Sequence, residues 1–137
     1  MTKIFNHNIK VYYEDTDAGG VVYYANYLKY LERARTEALV KIDLSNQKIK
    51  DDFGALIIVK SCNVDYKKSA YLEDILNIKS NIISITKTSF IMKQIIIKKK
   101  TMIVDAKVHL VFVNEKVKPV KIPQLIIDKF EPFISKN

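Results

Sequence analysis

The sequence predicts an α+β protein, a single domain over residues 1–137 made of one strand, one long helix and four further strands. Three observations carry that prediction. A period-2 alternation opens the chain, one stripe at helical spacing follows, and from Leu56 onward β-branched runs alternate with short polar turns.

Phe5, His7, Ile9, Val11 and Tyr13 alternate with Asn6, Asn8, Lys10 and Tyr12, which predicts a strand with one buried face. His7 falls on the inward parity as a core residue. After Asn26, the positions Tyr27, Leu28, Leu31, Ala34, Ala38 and Leu39 recur at helical spacing, with Lys29, Glu32, Arg33, Thr36 and Glu37 largely off that stripe. Ala34 and Ala38 let this helix lie close to a sheet, and Arg33 with Glu37 is spaced as an i,i+4 ion pair. Asp51-Asp52-Phe53-Gly54 closes a polar connection. Leu56 to Tyr66, Ile75 to Ile85, Ser89 to Lys98 and Met102 to Val113 then read as four strands in a meander. In the last of them Met102, Val104, Ala106, Val108, Leu110 and Phe112 share an apolar face, whereas Asp105, Lys107 and His109 share the other. Lys98-Lys99-Lys100 is read as a solvated hairpin turn, and Pro123 opens a short terminal helix, Gln124 to Phe130. The sheet's apolar face needs a cover, and the long helix is the element available.

Composition narrows the functional classes. The chain is 48% hydrophobic and 28% charged, without an apolar run long enough to span a membrane, so an integral membrane protein is not expected. The first residues lack the apolar core of a signal peptide and Cys62 is the single cysteine, which excludes an internal disulfide and suits a cytoplasmic setting. The net charge of +8 would suit an anionic partner, but the lysines are spread along the chain and no aromatic-basic strand motif accompanies them, so no nucleic-acid role is expected. A domain of 137 residues is small for an enclosed active site, and a second subunit would supply the missing walls.

The segment from Val11 to Tyr27, Val-Tyr-Tyr-Glu-Asp-Thr-Asp-Ala-Gly-Gly-Val-Val-Tyr-Tyr-Ala-Asn-Tyr, concentrates the chemistry. It sets carboxylates and glycines just before a helix N-terminus, where backbone N–H groups are unpaired and the helix dipole is positive. As a calcium loop it fails: Asp15, Asp17 and Gly20 fit the first, third and sixth positions, but Gly19 and Asn26 stand where ligands are needed and a strand precedes the loop. As a plain turn, Asp15 and Asp17 would accept local backbone hydrogen bonds while Gly19-Gly20 permits the bend. His7, His109 and Cys62 have no zinc-ligand spacing, and Cys62, on an apolar strand face, is read as a buried inert thiol.

That segment, running on into Leu-Glu-Arg-Ala-Arg-Thr-Glu-Ala-Leu39, resembles the hotdog-fold acyl-CoA thioesterases, in particular the tol-pal-associated (YbgC-type) group related to 4-hydroxybenzoyl-CoA thioesterase. Val64-Asp-Tyr-Lys-Lys-Ser-Ala-Tyr-Leu-Glu-Asp74 is a second, looser match, with Ser69 where the family often has proline. The resemblance implies a curved antiparallel sheet wrapped around one long helix, paired into a homodimer or homotetramer with active sites at the subunit interface. It implies hydrolysis of an acyl-CoA thioester to free acid and coenzyme A, without metal or organic cofactor, within lipid metabolism. Asp17 matches the catalytic carboxylate, as general base or as nucleophile. Tyr24 stands where many YbgC-type members carry histidine; it is assigned to the catalytic group through its backbone N–H, which would polarise the thioester oxygen. Tyr13 is expected in the substrate pocket by strand parity, and Lys68 and Lys87 are candidates for the coenzyme A phosphates. Glu32 and Glu37, on the helix, are read as solvent-facing or ion-paired. An acyl carrier protein is a further candidate partner. A hydratase would need a histidine motif absent from this segment, and a non-catalytic module binding acyl-CoA, acyl carrier protein or a protein partner is the competing function.

Overall fold

The computed structural model describes residues 1–136. Five strands form one antiparallel sheet: β1 (Phe5–Lys10), β2 (Leu56–Tyr66), β3 (Ile75–Ile85), β4 (Ser89–Lys98) and β5 (Thr101–Val113), in the order β1-β3-β4-β5-β2. The sheet curls around the helix α1, Ala25–Lys41. This is the expected α+β hotdog arrangement.

The strand limits follow the alternation, but the meander does not extend to all four later strands. Only β3, β4 and β5 are paired in sequence; β2 joins the outer edge of β5, and β1 closes the opposite edge against β3. Residues 67–74 therefore pass across the end of the sheet, held there by the Lys67 and Lys68 N–H groups, which donate to the Ile103 carbonyl at 2.9 and 3.2 Å. Periodicity marks where a strand lies, whereas its neighbours are chosen by long-range burial.

α1 buries Tyr27, Tyr30, Leu31, Ala34, Ala38 and Leu39. Leu28, expected on that stripe, is 45% exposed, because the buried line runs through positions 27, 30, 31, 34 and 38 and leaves it to one side. Arg33 and Glu37 form no ion pair among the described residues; both are left to solvent or half-buried. In place of a purely polar connection, Asn46–Phe53 forms a second helix, α2. Ser45 caps its start by accepting the Lys48 N–H at 3.0 Å, and Gly54 ends it in the left-handed region at φ +64°. The third helix, α3 (Gln124–Phe130), follows Pro123 as expected.

Two apolar clusters fill the space between α1 and the sheet. One gathers Phe5, Leu39, Phe90, Phe112 and Phe130 beneath the C-terminal half of α1, next to an apolar cavity of about 160 Å³. The other gathers Val11, Tyr27, Tyr30, Leu76, Ile78 and Val104 beneath its N-terminal half. Between them Gln94, fully buried, donates to the Leu31 carbonyl at 3.1 Å and to Ser80 Oγ at 3.0 Å, and accepts from Arg35 at 2.9 Å. β2 is only partly covered by α1, which meets it at Tyr66. Leu56, Ile58, Val59 and Tyr66 are exposed, and so is Cys62, which corrects the expectation of a buried thiol: its strand is at the edge of the sheet. Lys98 also departs from a solvated turn. Its ammonium lies 2.9 Å from Asp74 Oδ1 and 5.8 Å from the centre of the Tyr71 ring, while Lys99 and Lys100 are exposed.

Candidate active site

The acidic segment leaves β1 at Lys10 because Val11 turns inward, exchanging backbone bonds with residues 73–74: its N–H donates to the Asp74 carbonyl and its carbonyl accepts from Glu73, both at 2.9 Å. A 3-10 turn, Tyr13–Asp15, follows at once. Strand parity therefore ends before Tyr13, whose side chain is 82% exposed. With Lys10 and Tyr12 it borders a shallow surface depression next to Leu72 and Glu73.

Asp15 secures this turn. Its Oδ2 accepts the Tyr12 N–H at 2.9 Å, and its carbonyl accepts both the Tyr23 N–H at 2.9 Å and the Asn26 side-chain amide at 2.8 Å. Asp17 opens a tight hairpin. Its N–H donates to the Val21 carbonyl at 2.9 Å, its carbonyl accepts from Gly20 at 3.0 Å, and its Oδ1 accepts the Gly19 N–H at 2.9 Å. Gly20 sits at φ +78°, a conformation that carries no steric cost for glycine alone. The second oxygen, Oδ2, has no protein partner among the described residues and faces solvent on an exposed turn. Thr16 and Val22 close the hairpin as a bridge pair, and the Val22 N–H donates to the Ala70 carbonyl at 2.8 Å.

The hairpin delivers the chain to the start of α1. Tyr24 occupies the cap position without a side-chain capping bond, and the N–H groups of Tyr24 and Ala25 donate to no protein acceptor among the described residues. Two free donors at a positive helix end thus lie a few residues beyond a free carboxylate oxygen, an arrangement that suits a developing oxyanion beside an acid/base group. Around them stands an aromatic wall: the Tyr24 ring meets Tyr66 edge-on at 5.9 Å, and Tyr27 meets Tyr66 at 5.8 Å. The Tyr27 hydroxyl accepts the Ala70 N–H at 2.9 Å, so Ala70 ties both helix and hairpin to residues 67–74. Burial, foremost, raises the phenol of Tyr27 above its ordinary value. Burial and then the neighbouring Asp15 carboxylate raise that of Tyr30 much further; its hydroxyl is buried without a hydrogen-bond partner.

The other expected site residues separate by position. Lys68 is exposed two residues before Ala70, on the same side of the fold as the hairpin. Lys87 is exposed in the turn between β3 and β4, at the opposite end of the sheet from the hairpin's contact at Tyr71. Within one chain Lys87 and Asp17 are not brought together. Glu32 is exposed, accepting from the Thr36 hydroxyl at 2.8 Å. Asn26, Tyr66 and Ala70, which also meet here, carry no signal of their own in the sequence beyond the polar Asn26 opening the helix. No cluster of His, Cys, Asp and Glu suited to a metal ion occurs among the described residues.

Residues 11–130 match the Thioesterase-like superfamily. The chain belongs to this family. The thioesterase is 39% identical over 132 residues to the acyl-CoA thioester hydrolase YbgC of Escherichia coli O6:H1, covering 95% of this chain and 98% of that one. It is 36% identical to the acyl-CoA thioesterase YbgC of Haemophilus influenzae, over 88% of this chain and 89% of that one. A probable thioesterase from Bartonella henselae superposes with a TM-score of 0.85 at 31% identity, over 88% and 100% of the two chains. A 4-hydroxybenzoyl-CoA thioesterase in complex with 4-hydroxybenzoyl-CoA shares the fold of this thioesterase at a TM-score of 0.87 and 20% identity, over 93% and 98% of the two chains.

Proposed function

We infer that this thioesterase hydrolyses acyl-CoA thioesters to a free acid and coenzyme A, with Asp17 and the start of α1 as its reacting centre. The observation that carries the reading is the free Oδ2 of Asp17 on the hairpin that leads directly into the unpaired N–H groups of Tyr24 and Ala25 at the start of α1. Relatives with the printed activity of acyl-CoA thioester hydrolase, aligned over nearly the whole chain, support the substrate class.

In this reading the thioester oxygen accepts from the helix N-terminus while Asp17 Oδ2 takes a proton from water, whose oxygen attacks the carbonyl carbon. The carbon–sulfur bond then breaks, and the departing thiolate of coenzyme A takes up a proton. Attack by Oδ2 itself, through an acyl anhydride that water later opens, uses the same geometry. Tyr24 contributes through its backbone; its ring is directed to Tyr66.

The proposed working unit is a homodimer or homotetramer, supported by the 11-residue edge strand β2 with its exposed apolar side chains. Antiparallel pairing of two β2 edges about a two-fold axis sets the Leu56 end of one beside the Tyr66 end of the other. Lys87 lies at the Leu56 end, since β5 pairs Val113 with Leu56 and Phe112 N–H donates to Thr88. Pairing thus carries Lys87 of one copy toward the hairpin and Lys68 of its neighbour, where coenzyme A phosphates would lie. The proposed setting is cytoplasmic, which suits a lone exposed thiol, and an acyl carrier protein is an alternative acyl donor. No helix among the described residues is long and apolar enough to cross a membrane.

The test is thiol release from a chain-length series of acyl-CoAs by the parent and by Asp17→Asn. Asparagine retains an Oδ1 able to accept the Gly19 N–H, so the turn survives and only the charge is lost. The expected result is turnover by the parent and loss of about 10² or more in the variant. Equal turnover by both overturns the assignment of Asp17. Binding of acyl-CoA without turnover by the parent establishes instead a non-catalytic module.

A further inference from the structure

The Asn26 amide makes one contact that its surroundings do not require. It sits in the first turn of α1, about nine-tenths buried, and its Nδ2 reaches back eleven positions to the Asp15 carbonyl at 2.8 Å. That carbonyl already accepts the Tyr23 N–H at 2.9 Å, so no buried acceptor would be orphaned without Asn26. Asparagine is also a poorer helix residue than alanine. What the bond does is geometric. Asp15 lies two residues before Asp17, and Asn26 directly follows the free donors Tyr24 and Ala25. The two halves of the reacting centre are therefore joined at the Asp15 carbonyl by two bonds, the Tyr23 N–H from the hairpin side and the Asn26 amide from within the helix, and Asn26 is the side chain that reaches across. From the other side, Ala70 ties hairpin and helix together, its carbonyl holding Val22 and its N–H the Tyr27 hydroxyl.

We propose that Asn26 is a positioning residue of the thioesterase, fixing the distance and direction between the Asp17 carboxylate and the Tyr24 and Ala25 N–H groups. The proposal rests on the assignment of Asp17 made above. In this role Asn26 acts through the Asp15 carbonyl and not on the reacting atoms. Its amide holds base and oxyanion donors in one frame, so that the two act on the same carbonyl without first being brought into register.

The experiment measures kcat and KM for acyl-CoA hydrolysis, together with melting temperature and oligomeric state, for the parent, Asn26→Ala, Asn26→Asp, Asp17→Asn and the double variant Asp17→Asn/Asn26→Ala. Asn26→Asp keeps the size of the side chain and lacks the amide donor. The expected result is a fall in kcat of about tenfold for both Asn26 variants, a misplacement well under 1 Å, with KM within about twofold. Fold and oligomeric state stay as in the parent, and the double variant is no slower than Asp17→Asn alone. Parental kcat in both Asn26 variants, while Asp17→Asn is inactive, overturns the positioning role and leaves the assignment of Asp17 standing. A parental Asp17→Asn overturns that assignment and the proposal with it. A rise in KM matched by loss of thermal stability, or full activity in Asn26→Asp alone, shows that Asn26 merely fills space and also overturns the proposal.

Discussion

Gly19→Ala and Gly20→Ala are neighbouring, chemically identical substitutions that the hairpin geometry separates. At Gly20 a Cβ would meet nothing within 4 Å, but the backbone stands at φ +78°, where an L-residue costs about 1–2 kcal/mol. At Gly19 the backbone is outside that region, and the added Cβ would come 3.3 Å from Asp17 Oδ1. The carboxylate must then retreat by a few tenths of an ångström. If a displacement of 1 Å costs about 10² in rate, one of ~0.3 Å costs about fourfold. Gly19→Ala also removes freedom from the unfolded chain, a gain of up to about 1 kcal/mol. Gly20→Ala should therefore melt lower with kcat close to the parent's at a temperature where both are folded, and Gly19→Ala should melt no lower and turn over several-fold more slowly. Thiol release under saturating acyl-CoA, paired with a thermal melt followed by circular dichroism, reads both quantities. Parental kcat in Gly19→Ala together with parental stability in Gly20→Ala would refute the account of this turn.

Three further outcomes are expected. Tyr27→Phe leaves the N–H of fully buried Ala70 without an acceptor, at a cost of about 1–3 kcal/mol, to be read from denaturant unfolding. Tyr27, Tyr30 and Tyr66 all hold their phenolic protons more tightly when folded than the ordinary value of 10.0, mainly because of burial. Their contribution to stability is thus complete below that value and is lost as the pH rises through and beyond it, so unfolding titrations should be flat near neutrality and weaken above about pH 10, less steeply in Tyr30→Phe. Cys62→Arg places a charge near the middle of the exposed β2 edge, where a two-fold pairing brings the two copies of the residue close. Sedimentation should show more monomer than in the parent, with activity falling on dilution; an unchanged distribution would remove β2 as the pairing edge.

Much of this molecule is legible in local patterns, because alternation and helical spacing record which faces are buried. β2 to β5 and α1 lie where those periods place them, and the acidic turn stood out because its glycines and carboxylates serve a hairpin. Other features depend on partners distant in sequence. The place of β2 at the edge is decided by its pairing with β5, and that same edge exposes Cys62, although its neighbours read as a core strand. α2 has one buried residue, Ile49, and so no stripe to read, although Ser45 and Gly54 were its start and stop signals. Alternation does not carry on to Tyr13, because the bonds of Val11 to residues 73–74 end the strand before it. Asn26 and Tyr27 acquire meaning only once the hairpin lies against α1.

The hairpin is joined to the rest of the fold by main-chain bonds, Val22 to Ala70 and Leu72 to Gly20, and by the buried Val22 side chain. It is carried as an extension of the architecture and not as a flap. If acyl-CoA binds there, it meets a turn already held in place by these bonds, and little of its binding energy goes into ordering this segment.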